Sequence, residues 1–180
     1  MINKIFPTLV LIFFCNGILS AQTEINAGVN IGGGFISANS PNEGAFTSSV
    51  FIGGYLNPGD YISTRLGFIY AADFNSIVPG SRKQYYPSVK GFYLKGIYSS
   101  YITGSFYTEQ GLGLLTLNDR IYSDRNDWDF GIVISLLAGV DFRDYTINGF
   151  KIGLGLEYGL TFLNYSIQYY STHFQLQYVF

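Results

Sequence analysis

From residue 25 to the end, the chain reads as short stretches with a period of two. Ile25, Ala27, Val29, Ile31 and Phe35 alternate with Asn26, Gly28, Asn30 and Gly32. Residues 45–56 follow, then 61–71, where Ile62, Thr64, Leu66, Phe68 and Tyr70 oppose Ser63, Arg65 and Gly67. The fourth stretch, 89–101, sets Phe92, Leu94 and Tyr98 against Tyr93, Lys95 and Ile97. The fifth, 106–117, alternates least cleanly. The sixth places Trp128, Phe130, Ile132, Ile134 and Leu136 opposite Asp129, Gly131, Ser135 and Asp141. The seventh, 150–160, places Phe150, Ile152, Leu154, Leu156 and Tyr158 opposite Lys151, Gly153, Gly155, Glu157 and Gly159. The last is HFQLQYVF, residues 173–180. Strict alternation is the signature of a strand with two unlike faces, and amphipathic helical periodicity does not stand out.

These stretches predict eight strands of ~11 residues, the length a tilted strand needs to cross a bilayer. The intervening breaks alternate in length. They are long at 37–44, 72–88, 118–127 and 161–171, short at 57–60 and 103–105, and intermediate at 143–149. Asn57-Pro58-Gly59-Asp60 and Gly104-Ser105 carry turn chemistry. Loops on one side and turns on the other describe an all-β, eight-stranded antiparallel up-and-down transmembrane β-barrel. Such a barrel is only wide enough for side chains to fill, so the lumen is expected to be filled. A soluble β-sandwich is the alternative.

The first residues, MINKIFPTLVLIFFCNGILSAQ, carry Lys4, an apolar run at 8–14 and a small-residue exit at Ser20-Ala21. That is the form of a secretory signal peptide. The expected organisation is residues 1–21 as a removed leader and 22–180 as one outer-membrane β-barrel domain. Phe14 is too bulky for a lipidation box at Cys15, the only cysteine. Without it the mature segment has no disulfide framework and no thiol chemistry.

Charged residues are 12% of the chain and aromatics 18%; a usual soluble domain carries ~25% charged residues. Of ten Lys and Arg, Lys4 lies in the leader, which leaves nine against twelve Asp and Glu, a net charge of −3. There is no basic stripe, and nucleic acid is not an expected partner.

The facing follows from energetics. A Lys or Arg on the lipid side at the midplane costs about 2–4 kcal/mol, so Arg65, Lys95 and Lys151 should point inward. Glu24, Glu109 and Glu157 fall on the same small, polar faces. Together the six predict a lumen charge network, with Asn26, Asn30, Ser63 and Ser135 filling gaps and inward glycines making room for the long cationic chains. Aromatics near strand ends, including Tyr55, Tyr61, Tyr70, Tyr101, Trp128, Phe142, Tyr145, Phe150, Tyr158 and Phe180, suit the headgroup level.

The pattern as a whole, and GIVISLLAGVDF, FKIGLGLEYGLT and HFQLQYVF in particular, resembles the small Gram-negative outer-membrane β-barrel proteins of the OmpX-like and PorT-like group. The resemblance implies an outer-membrane location with both termini periplasmic. It also implies that Phe174, Leu176, Tyr178 and Phe180 form a C-terminal signal for the barrel assembly machinery, and that outer-membrane lipid and lipopolysaccharide are partners. It leaves activity open, because the fold hosts adhesins, structural barrels, secretion accessory proteins and lipid-modifying enzymes.

Candidate chemistry is sparse. His173 and Ser171 are the components a lipid A deacylase would need, but the family's His-x-Ser-Asn run is absent and GLEYGLTFLN stands in its place. Asp119, Asp124, Asp127 and Asp129 could offer oxygen ligands, yet Arg120 and Arg125 interleave and no calcium-loop spacing is present. No metal site and no cofactor are expected. Tyr85, Tyr86, Tyr122 and Trp128 could anchor an extracellular or envelope protein through the long loops, or could simply rim the membrane. The expectation is a non-enzymatic barrel with a structural, envelope-assembly, secretion-accessory or surface-interaction role. A lipid-modifying enzyme and a small pore are the alternatives.

Overall fold

A computed structural model describes residues 25–37, 43–57, 60–72, 88–121, 126–143, 148–163 and 166–180. They form a closed barrel in which each strand pairs antiparallel with the next and β8 pairs with β1. The strands are β1 (Ile25–Ser37), β2 (Glu43–Asn57), β3 (Asp60–Ala72), β4 (Ser88–Thr103), β5 (Phe106–Arg120), β6 (Asp127–Asp141), β7 (Gly149–Thr161) and β8 (Gln168–Val179). Among the described residues no helix is long and apolar enough to cross a membrane.

The register fixes the barrel's girth. From Gly33 the partners run through Thr172, Leu156, Leu136, Gln110, Tyr98, Ile62 and Gly54 and return to β1 at Ile25. The offset, 33 minus 25, is eight residues for eight strands. A barrel of that strand number is narrow enough for side chains to close its interior. The expected short turns join β2 to β3 and β4 to β5, and Gly104 takes the left-handed conformation (φ 52°) that a tight reversal requires.

The strands are longer than the predicted ~11 residues. β5, for example, has 15 residues. At ~3.3 Å rise and a tilt near 40°, 15 residues reach roughly 38 Å, beyond an apolar band ~25 Å tall. The wall therefore continues past the hydrocarbon. β8 also starts earlier than expected, at Gln168 rather than after 171. Tyr169 and Ser171 face inward and Tyr170 outward, so tyrosine on both faces hides the period.

The two faces are unlike. Leu112, Leu114, Leu136 and Leu154 point outward and are 64–71% exposed. Inside, polar and charged side chains are nearly inaccessible, as are Tyr61, Tyr93, Tyr107 and Tyr169. Tyr61 was expected at the headgroup level; it lies wholly in the lumen. Tyr101 bonds to Lys151 at the short-turn end of the interior. Tyr70, Trp128, Phe142, Phe150 and Phe180 do lie on the outer wall. Tyr145 and the side chain of Tyr55 lie outside the described residues.

Inward glycines make the expected room beside Lys95, where a Cβ at Gly113 would stand 2.4 Å from Lys95 Cβ, and also serve a second purpose. A Cβ at Gly67 would stand 2.0 Å from the Tyr93 ring, at Gly159 2.0 Å from Tyr169, and at Gly28 2.3 Å from Phe51. These three make room for inward aromatic rings, and Arg65 and Lys95 lie over those of Phe51 and Tyr93.

Candidate functional site

The lumen has three layers along its axis. At the long-loop end an apolar layer closes it. Ile36, Ile69, Val89, Leu117, Ile121 and Ile167 are fully buried there, with Tyr93 and Tyr169 beneath. The sequence reading expected a polar interior throughout and missed this layer. Its weak signal was the poor alternation of β5, whose Leu115 and Leu117 point inward. Two loop stubs are pinned into the layer. Ile121 N donates to Asp119 Oδ1 at 2.9 Å, and Ile167 N donates to Thr161 Oγ1 at 3.0 Å.

The middle layer holds two buried ion pairs. Arg65 Nη2 donates to Glu109 Oε2 at 2.8 Å and to Gln175 Oε1 at 2.6 Å. Glu109 Oε1 also accepts from Tyr61 Oη at 2.6 Å and from Gln175 Nε2 at 2.8 Å. With its amide turned to suit its neighbours, Asn30 accepts from Arg65 Nη1 at 2.7 Å. The Arg65 guanidinium lies 4.6 Å from the Phe51 ring centre. In the second pair Lys95 donates to Glu157, whose other oxygen accepts from Tyr169 Oη at 2.8 Å. Lys95 Nζ lies 4.8 Å from the Tyr93 ring centre.

The layer at the short-turn end is built on Lys151. Its Nζ donates to Tyr101 Oη at 2.6 Å, lies 3.5 Å from Asp141 Oδ2, and sits among the rings of Tyr61, Tyr101 and Tyr107 at 4.8, 4.9 and 5.3 Å. Arg143 Nη2 also bonds Asp141 Oδ2 at 2.8 Å. The partner of Lys151 is thus Asp141, which the charge set predicted from sequence omits. Glu24 lies outside the described residues. Asn26 and Ser63, expected to fill gaps, are buried without a hydrogen-bond partner. Sequence reasoning also missed Tyr61, Tyr107, Tyr169, Gln175 and Gln177. The two glutamines were visible as polar alternates in HFQLQYVF; Tyr61 was disguised as a rim residue, Tyr107 lay in the poorly alternating fifth stretch, and Tyr169 lay in the break expected at 161–171.

Breaking one partner of such a pair leaves a buried charge, whereas in the complete network the charged groups of both pairs are hydrogen-bonded. The arrangement ties strands across the lumen to one another. Ser171 Oγ is bonded to Thr47 Oγ1 at 2.8 Å, and His173 Nε2, in the lumen, has no partner. No nucleophile is therefore bonded to that nitrogen, and both side chains point away from the lipid side. Asp119 and Asp129 accept backbone N–H groups, Asp129 Oδ1 from Leu163 N at 3.1 Å. Among the described residues no cluster of three or more potential metal ligands is present.

On the outer wall Phe174, Leu176 and Phe180 are exposed and alternate with buried lumenal residues. Tyr178 stands edge-on to Phe150 and Phe180, both at 4.9 Å. Trp128 is an outward member of β6, in line with Phe130 and Ile132. It belongs to the wall rather than to a loop tip. Tyr85, Tyr86 and Tyr122 lie outside the described residues.

An apolar exterior around a charged, closed interior is the inverse of a soluble barrel. This chain has the fold of the small eight-stranded outer-membrane β-barrels. It matches Ail, the attachment invasion locus protein of Yersinia pestis, in a structure with the heparin analogue sucrose octasulfate, at a TM-score of 0.65 and 10% identity. That alignment covers 89% of this chain and 100% of Ail. It matches Neisserial surface protein A at a TM-score of 0.59 and 12% identity, over 87% of this chain and 97% of that one. No protein-family model and no curated protein sequence matches. At these identities the shared feature is the outer-membrane barrel fold alone.

Proposed function

We propose that the chain is a non-enzymatic barrel of the bacterial outer membrane that presents its long connections at the cell surface. The observation that carries this is the closed lumen. With an apolar layer at one end and paired charges below it, the interior offers neither a path nor a site. Recognition then falls to the wall and to the long-loop end, where the connection at 73–87 joins β3 to β4. Ail is by its name an attachment protein, and it was solved with a heparin analogue; surface interaction is the corresponding role here. The leader at 1–21 supports export, and the short turns then face the periplasm. Phe174, Leu176, Tyr178 and Phe180, outward on β8, suit a signal read by the barrel assembly machinery during insertion. Lipid and lipopolysaccharide are the surrounding partners, and the role needs no cofactor.

A deletion strain complemented with the full chain, or with a chain whose 73–87 connection is cut to a four-residue turn, tests this. Restored envelope impermeability with lost surface attachment in the shortened chain supports the proposal. Full restoration of both by the shortened chain overturns the surface role and leaves a structural one. A changed lipid A profile in a His173→Ala strain, or stable channel currents in planar bilayers, would overturn the non-enzymatic, closed reading.

A further inference from the structure

The outer wall carries one feature that a lipid surround does not satisfy. Among the described residues, Gln110 is the only outward side chain bearing an amide or a charge that lies more than three residues from a strand end. It is exposed, makes no side-chain hydrogen bond, and has Tyr98 and Leu136 as its register neighbours on β4 and β6. Gln110 lines a largely apolar groove of about 710 Å³ that runs along the wall from Ile62 on β3, past Gly96, Leu112 and Leu136, to Leu156 and Tyr170 on β7 and β8. A Cβ at Gly96 would meet nothing within 4 Å, so the wall is indented there. An acyl chain would fill the groove, but hydrocarbon has no group to pair with the amide.

We propose that the β4–β5 wall around Gln110 is the interface of a two-fold homodimer in the membrane; this rests on the membrane reading above. Two copies inserted in the same direction can be related only by an axis along the membrane normal. A residue near that axis meets its own counterpart at the same depth. A primary amide is suited to such a meeting, because its N–H and C=O pair reciprocally with a second amide. The Gly96 indentation beside it receives the partner's Leu112 or Tyr98. The wall four strands away has an outward glycine, Gly33, but no amide, since Ile25, Val29 and Ile31 on β1 are apolar.

Cys15 is the chain's only cysteine, so in a Cys15→Ser background a single introduced thiol reports one position. Leu112→Cys and, on the far wall, Val29→Cys are treated in native membranes with a short bis-maleimide cross-linker. The expected result is a covalent dimer for Leu112→Cys, no dimer for Val29→Cys, and at least a tenfold loss of the dimer when Gln110→Leu or Gly96→Leu is added. Equal cross-linking at both thiols, none at Leu112→Cys, or a yield unaffected by Gln110→Leu overturns the dimer. So does a native mass spectrum of monomer retaining a lipid. A heat-modifiable band in the membrane pellet, read from the same samples, reports separately on the membrane reading.

Discussion

Replacing Lys95 with Met removes one half of a buried pair and leaves the other half in place. Glu157 is 2% exposed, and it would keep only hydroxyl donors such as Tyr169 Oη at 2.8 Å. Breaking a buried pair from one side typically costs about 3–5 kcal/mol, whereas replacing both members with apolar groups of similar size is often neutral or stabilising. Lys95→Met should therefore cost about 3–5 kcal/mol, and Lys95→Met with Glu157→Leu far less than the sum of the single changes. With a urea dependence of ~1–3 kcal/mol per molar, the single variant's midpoint should fall by roughly 2 M. The assay is urea unfolding in lipid vesicles, followed by the fluorescence of Trp128, the sole tryptophan. A single-variant cost below about 1 kcal/mol, or a double variant as destabilised as the sum, would refute the view that this pair is desolvated and mutually dependent.

Leu117→Asp places an unpaired carboxylate in the apolar layer; it should abolish the heat-modifiable band or cost at least ~3 kcal/mol. Gly67→Ala pushes a methyl into the Tyr93 ring and should cost about 1–3 kcal/mol in the same unfolding assay, a loss that Tyr93→Leu in the same chain should largely recover. Leu114→Arg changes a residue that is 71% exposed. In a soluble protein such a change is worth ±0.5 kcal/mol or less, but on a wall in hydrocarbon it should cost about 2–4 kcal/mol.

Alternation carried most of the fold. Where one face is uniformly apolar and the other is built of Gly, Ser, Lys and Glu, as in β6 and β7, strand, facing and register direction all follow from period two. The interior was legible where a charge marked it, at Arg65, Lys95, Glu109, Lys151 and Glu157. It was illegible where the inward residue was itself apolar or aromatic. Leu115, Leu117, Ile69 and Val89 look like lipid-facing residues in sequence, and only the closed register shows that they cap the lumen. Tyr61 was misplaced for a related reason. A tyrosine suits both the headgroup level and a polar interior, whereas Tyr169 was hidden by its place in the break expected at 161–171. The pairing of Lys151 with Asp141 was hidden because the two lie across a turn rather than along one strand.

The central claim is that the apolar wall lies in hydrocarbon and the charged face does not. A tryptophan at Leu114, in a Trp128→Phe background, reads it directly in vesicles with bromine placed along the acyl chains. Strong quenching by lipids brominated near the bilayer centre, with little quenching by aqueous acrylamide, is the predicted result. Quenching by acrylamide with indifference to the brominated lipids would place Leu114 in water and contradict the account.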